Sequence, residues 1–264
     1  MKRIAILIVS ILITSGCAVN VVKKPEIDAV KKVAIIDVNI LRQVKSTEGG
    51  GGFTTGLSML SALKKTPKNG SNLHANFSLG VANDSIEILS RSLGAVKGWK
   101  VIPPASYMNK KPFISFVNAV KNINEEKYSA VTKLAKINVL HATGMPEIFK
   151  PELYKKEMSV LARELDVDAL VISSTNLTYT SSALSLGGSG LANTTANVTV
   201  YAYDKNGVRV VNTKDSKIVG ETESTIMLVL TNIDLGEKTK AVYLESITDA
   251  TNKIALRINK DMGK

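Results

Sequence analysis

The ten residues from Lys31 to Ile40, KKVAIIDVNI, narrow the fold more than any other stretch. Two lysines open it and apolar residues fill its centre without a regular polar alternation. A strand that is apolar on both faces has to be covered on both, which is the position of a central strand in an α/β sheet. The rest of the chain supplies covers for it. Asn83-Asp84-Ser85 offer capping side chains before IEILSRSLGAV, where Ile86, Leu89, Leu93 and Val96 recur at helical spacing, so a helix is expected there, ending near Gly98. WKVIPP, Trp99 to Pro104, reads as a second strand halted by two prolines. Pro112 to Lys136 is helical in character around Phe113, Phe116 and Val117. Pro151 suits a helix start, after which Tyr154, Met158, Leu161 and Leu165 share one face. DVDALVISSTNLTY follows as a strand centred on Ala169 to Ile172, and helix followed by strand is an α/β unit.

The last third changes character. In NVTVYAYDKNGVRVV, Val198, Val200 and Ala202 alternate with more polar residues, and Asn206-Gly207 is a hairpin turn signal. Lys217 to Val229 continues as a strand, and a long helix is expected from Glu237 to about Lys260, with Leu244, Ile247, Thr251, Ile254 and Ile258 along one face. The expected fold class is therefore α/β (α+β): a single mixed sheet packed by helices, antiparallel in its C-terminal third and closed by a long C-terminal helix.

The first seventeen residues, MKRIAILIVSILITSGC, stand outside that fold. Lys2 and Arg3 form a basic head, Ile4 to Ile13 an apolar run, and Thr14-Ser15-Gly16 a small-residue site before the chain's only cysteine. That is the arrangement of a bacterial secretory leader with a lipobox-like cleavage site. The apolar run falls short of the roughly 20 residues a permanent spanning helix needs. The expected organisation is a signal peptide over 1–16, a tether over 17–30 lipidated at Cys17, and a periplasmic domain over 31–264. Ala18 stands where lipoproteins retained at the inner membrane often carry Asp, which favours the outer membrane.

Charge and chemistry limit the function classes. The formal net charge is +11, and removing Lys2 and Arg3 leaves +9. No aromatic-rich stretch or nucleic-acid motif accompanies it, so no nucleic-acid partner is expected; the charge reads first as a means of solubility, and for an exported protein an anionic membrane surface or glycan is a more natural attractor than nucleic acid. A single cysteine excludes an intramolecular disulfide. The glycines at 49–52 are followed by Phe53-Thr54-Thr55, not by the Gly-Lys-Ser/Thr that closes a phosphate loop, and read as a loop. GGSGL, Gly187 to Leu191, lacks the last glycine of a serine elbow. His74 and His141 stand far apart and read as surface or loop residues, and Asp166 and Asp168 read as the boundary between a helix and a strand in preference to a metal site. No catalytic residue, metal, cofactor or small-molecule substrate is expected.

The element order, with the phrases LARELDVDALVIS and AYDKNGVRV, resembles the curli-secretion channel lipoproteins (CsgG-like) and the related α/β domain of TolB-type periplasmic proteins. The resemblance covers most of residues 31–260. Its most specific local match is NFSLGVANDSIEILSRSLGAVKGWKVIPP, where Asn76 and Phe77 take the positions that in those channels line the narrow ring of the pore. The channels place a tyrosine four residues before that asparagine, and this chain has Asn72. The resemblance implies two membrane-crossing hairpins per subunit, each strand needing about 9 to 11 residues. YTSSALSLGGSGLANTTANV is barely long enough for the first, and TESTIMLVLTNIDLG offers one apolar strand without a clear return. The expectation is accordingly a non-enzymatic outer-membrane lipoprotein acting as an interaction or assembly module in envelope secretion or surface-structure assembly, partnered by the membrane and by other envelope proteins or further copies of itself. An oligomeric secretion pore is the alternative, with a ligand-binding or hydrolytic domain behind it.

Overall fold

The computed structural model describes residues 21–47, 71–127, 135, 138–184, 190–216, 218–229 and 232–264. Cys17 with the rest of residues 1–20, Gly49 to Gly52, and Gly187 to Ser189 lie outside the described residues. The strands are β1 (Lys32–Leu41), β2 (Lys45–Ser46), β3 (Lys100–Ile102), β4 (Val139–His141), β5 (Ala169–Leu184), β6 (Gly190–Asp204), β7 (Arg209–Asn212), β8 (Val219–Val229) and β9 (Asn232–Ile233). The α-helices are α1 (Ser71–Gly94), α2 (Lys111–Lys127), α3 (Lys155–Glu164) and α4 (Glu237–Met262). All nine strands belong to one sheet with the order β3-β1-β5-β6-β8-β9. β1 pairs in parallel with β3 and β5, whereas β6, β8 and β9 continue antiparallel. The mixed α/β sheet with its long C-terminal helix is thus the fold of the chain.

The two faces of β1 account for its sequence. Val33, Ile35, Val38 and Ile40 join the core under α1 and α4, with Leu89, Leu93, Ile247 and Ile254. Ala34 and Ile36 enter the opposite core with Phe113 and Phe116 of α2 and Met158 and Leu161 of α3. The switch of parity between Ile35 and Val38 is a bulge: Ile35 pairs with Val171 and Asp37 with the next residue, Ile172. Bulges re-aim side chains, and this one turns Asp37 and Asn39 inward together.

The N-terminal boundary of the body corrects the expected tether. Val21, Ile27 and Val30 are buried. Val22 bridges to Val211, Lys23 N donates to Val210 O, and Val21 N donates to Asp261 Oδ2 at 2.8 Å. Apolar residues at 21, 27 and 30 give this segment surface to bury, so residues 21–30 pack as part of the body.

A second correction concerns Asn83-Asp84-Ser85, which lie in the interior of α1 and do not start it. Their polar groups serve other partners: Asn83 Oδ1 accepts from Thr143 N at 2.7 Å, Asp84 pairs with Lys240 at 2.7 Å, and Ser85 Oγ donates to Val81 O within the helix. The expected strands and turns elsewhere hold. The Asn206-Gly207 turn forms with Gly207 at φ +75, and Asp204 Oδ1 accepts from Asn206 N and Val208 N.

The hairpin of β5 and β6 is longer than the sequence pattern indicates, with paired residues from Ala169↔Asp204 out to Leu184↔Gly190. β6 buries its even-numbered residues from Ala192 to Ala202 and leaves Asn193, Asn197 and Thr199 more open on the other face. β8 lies against the outer half of β6, and α4 covers both. The return from β8 is short, since β9 contributes Asn232 and Ile233.

Candidate functional site

Polar chemistry concentrates where β4 joins the end of β1. Asn39 is the register partner of His141, and Asp37 lies two residues away on the same face of β1. Asp37 is fully buried, and its Oδ1 shares a 2.8 Å hydrogen bond with His141 Nδ1, whose side chain is 6 % exposed. Asp37 Oδ2 accepts from Asn39 Nδ2 at 3.0 Å. Burial pushes the Asp37 carboxyl above the ordinary carboxylate range, against the lowering influence of His141 and Asn39. His141 therefore belongs to the interior and not to the surface or a loop, because a carboxylate on a doubly covered strand needs a partner and β4 delivers one.

Beside the pair is a shallow groove of about 410 Å³ lined by Arg42, Leu79, His141, Thr143, Met145 and Glu147. The imidazole is braced edge-on by Phe149, with ring centroids 5.1 Å apart. His141 Nε2 is buried and meets no hydrogen-bonding group among the described residues. A base of this kind has to reach a substrate proton at hydrogen-bond distance, and here the nitrogen is closed off. In this conformation the trio is a cross-strand strut that ties β4 to β1. Among the described residues no group of three His, Cys, Asp or Glu side chains is arranged to hold a metal ion.

The other residues singled out by the sequence are dispersed. Asp168 accepts from Lys31 N at 3.0 Å and Lys32 N at 2.9 Å, and Asp166, at φ 53, pairs with Lys32 Nζ at 2.8 Å. The two aspartates thus fasten the starts of β1 and β5, in keeping with a helix-to-strand boundary. His74 is half-buried near the start of α1, and burial lowers its pKa. Asn76 is exposed on α1, while Phe77 is buried edge-on against Tyr243 of α4 at a centroid distance of 6.0 Å. Tyr243 in turn donates to Thr178 O at 3.1 Å, so Phe77 helps to seat α4 on the base of the long hairpin.

A different kind of site lies toward the outer end of β6 and β8. Leu191 and Met227 are register partners, and they are 47 % and 59 % exposed on a face that also carries Asn193, Thr195, Asn197 and Thr225. The adjoining edge of β8 is guarded: Glu221 N donates to Asp249 Oδ2, and Thr222 and Ser224 hydroxyls donate to Glu245. Guarded edges disfavour indiscriminate strand pairing. Nothing in the local sequence points to this pair, because the register that unites Leu191 with Met227 depends on β8 folding back over β6. No helix among the described residues is long and apolar enough to cross a membrane. The sequence matches no protein-family model and no curated protein.

Proposed function

We propose that the protein is a lipid-anchored, non-enzymatic component of the bacterial cell envelope, held at the outer membrane through Cys17 and facing the periplasm. Its α/β body presents the blade formed by β5, β6 and β8 to another envelope protein or a further copy of itself, within secretion or surface-structure assembly. The observation that carries this reading is the position of the exposed Leu191–Met227 pair relative to the anchor. Val22 bridges to Val211, which pairs with Ala202 opposite Val171, whereas the hairpin runs on to Leu184. At about 3.3 Å per residue that separates the anchor end from the hairpin end by roughly 40 Å. Presenting an apolar pair away from its own anchor is what a docking module requires.

A pore is the second reading, favoured by the length of β5 and β6, 16 and 15 residues, which exceeds the roughly 9 to 11 of a spanning strand. Two features weigh toward docking instead: Phe77 is used in the subunit's own core, and the four residue steps from Cys17 to Val21 extend at most ~14 Å, well short of the hairpin end. A photo-crosslinking residue placed at Asn193, beside Leu191, is expected to give discrete protein adducts in intact cells, and the Leu191→Ser/Met227→Ser pair is expected to remove them. The same probe at Lys156 on α3 should give none. Adducts that survive the double substitution, or a detergent-extracted ring that conducts across planar bilayers, would speak against the docking reading.

A further inference from the structure

We propose that the anchor end of the body is itself a membrane-facing surface that binds anionic phospholipid headgroups. This rests on lipid attachment at Cys17. The C-terminal ends of α1 and α4 and the starts of β1 and β3 meet there: Asn259 of α4 accepts from Lys97 N and donates to Ala95 O, and Lys100 N donates to Lys31 O. Six exposed lysines surround the point where the chain enters the body, namely Lys24, Lys31, Lys97, Lys100, Lys260 and Lys264. They come from distant parts of the sequence and are gathered by specific contacts. Lys24 Nζ donates to Met262 O at 2.8 Å, and Lys264 Nζ donates to Lys97 O at 3.3 Å.

The carboxylates at this end are mostly committed. Asp261 receives Val21 N and Arg257, Glu26 receives Lys23 at 2.6 Å, and Asp166 and Asp168 serve Lys32 and the backbone of Lys31 and Lys32. Asp28 is exposed. A local excess of positive charge therefore faces outward, and carbonyl contacts on two ammonium groups do not neutralise it. Leu256, 68 % exposed, stands one helical turn before Lys260 on α4. An apolar side chain beside a basic cluster is the composition of a surface that rests at the headgroup boundary. With at most ~14 Å of chain between Cys17 and Val21, a lipid at Cys17 keeps this end within reach of the bilayer. Lysines near an anionic surface each strengthen attachment about fivefold, so the cluster fixes orientation where the acyl chains fix location. The consequence is a body that stands on its basic end with Leu191 and Met227 pointing outward.

The full lipidated protein, reconstituted into vesicles, tests this. Because acylation blocks Cys17, Leu256→Cys and, separately, Met227→Cys each provide a single site for a fluorophore, with a quencher carried on the lipid headgroups. In vesicles about a third phosphatidylglycerol, the label at 256 is expected to be quenched at least about fivefold more than that at 227, and the contrast to fade in phosphatidylcholine alone or in high salt. Lys97→Glu/Lys260→Glu/Lys264→Glu is expected to lower the headgroup-apposed population by at least about tenfold. Protein that leaves neutral vesicles yet stays on anionic ones with position 256 quenched would support the surface while failing the lipid anchor. Protein that stays on both vesicle types with position 256 unquenched would overturn the surface and leave the anchor standing. Protein that leaves both would overturn both.

Discussion

Replacing Gly220 with alanine is expected to destabilise the protein by more than about 3 kcal/mol, seen as a large fall in the urea midpoint of unfolding. A Cβ at this position would lie 1.8 Å from Ser246 O and 2.6 Å from Ala250 N. Both are backbone atoms of α4, so no side-chain rotation relieves the clash. Either β8 or the helix has to retreat, and α4 carries Ile247, Ile254 and Ile258 into the larger core. Overpacking ordinarily costs about 1–3 kcal/mol, and a backbone clash between two core elements belongs at or beyond the upper end. Gly94→Ala is the matched control: nothing lies within 4 Å of its added Cβ, and its effect should stay within about 0.5 kcal/mol. Wild-type stability in Gly220→Ala would mean that α4 does not pack directly on β8.

The second large effect is expected at Asp37. Asp37→Ala removes the centre of the trio, leaving Asn39 Nδ2 and His141 without their acceptor in the interior. Leaving a buried hydrogen-bonding group unsatisfied costs about 1–3 kcal/mol, and here two are left. The loss should be read by thermal or urea unfolding, together with faster amide exchange across β4. Asp37→Asn keeps the shape and separates charge from packing. In the folded chain burial raises the Asp37 pKa, so above the ordinary carboxylate range the folded state still holds a proton that the unfolded state has released. Folding then takes up a proton, and the stability this group contributes at low pH is lost as pH rises through the raised value. Asp37→Asn should flatten that decline. A pH–stability profile identical in the two proteins would show that Asp37 is ionised alike in both states.

These two positions also mark where local pattern in the sequence stops being informative. β1, α3, the Asn206-Gly207 turn and the buried face of α4 were legible because each depends on spacing within a few residues. Asp37 and His141 are 104 residues apart, and Val139–His141 is too short to show any period. A signal was nonetheless present: an aspartate inside a strand buried on both faces demands a partner, and there are only two histidines in the chain. Asn83, Asp84 and Ser85 misled for the converse reason. Polar residues that commonly cap a helix were retained in the middle of α1 by Thr143, by Lys240 and by a bond within the helix, and none of these partners can be read from neighbouring sequence. The extension of β5 through Thr178, Thr180 and Ser181 carries little apolar signal. It is held by pairing with β6 along its whole length.

The exposed Leu191–Met227 pair and the lysine-rich end share this dependence on tertiary register. Leu191 and Met227 meet through strand pairing, and Lys24, Lys97 and Lys264 meet through the ends of α1 and α4. The lone Cys17 follows an apolar run and three small residues, and the proposal of the body as an oriented module depends on it. The most direct measurement is therefore the fate of Cys17→Ser in cells, followed by membrane fractionation with a high-salt wash that strips attachment through lysines alone. The account predicts that the wild-type chain is processed and stays in the washed outer-membrane fraction, while Cys17→Ser is neither processed at that site nor incorporates labelled fatty acid. Unchanged processing, acylation and salt-resistant membrane association in Cys17→Ser would contradict it.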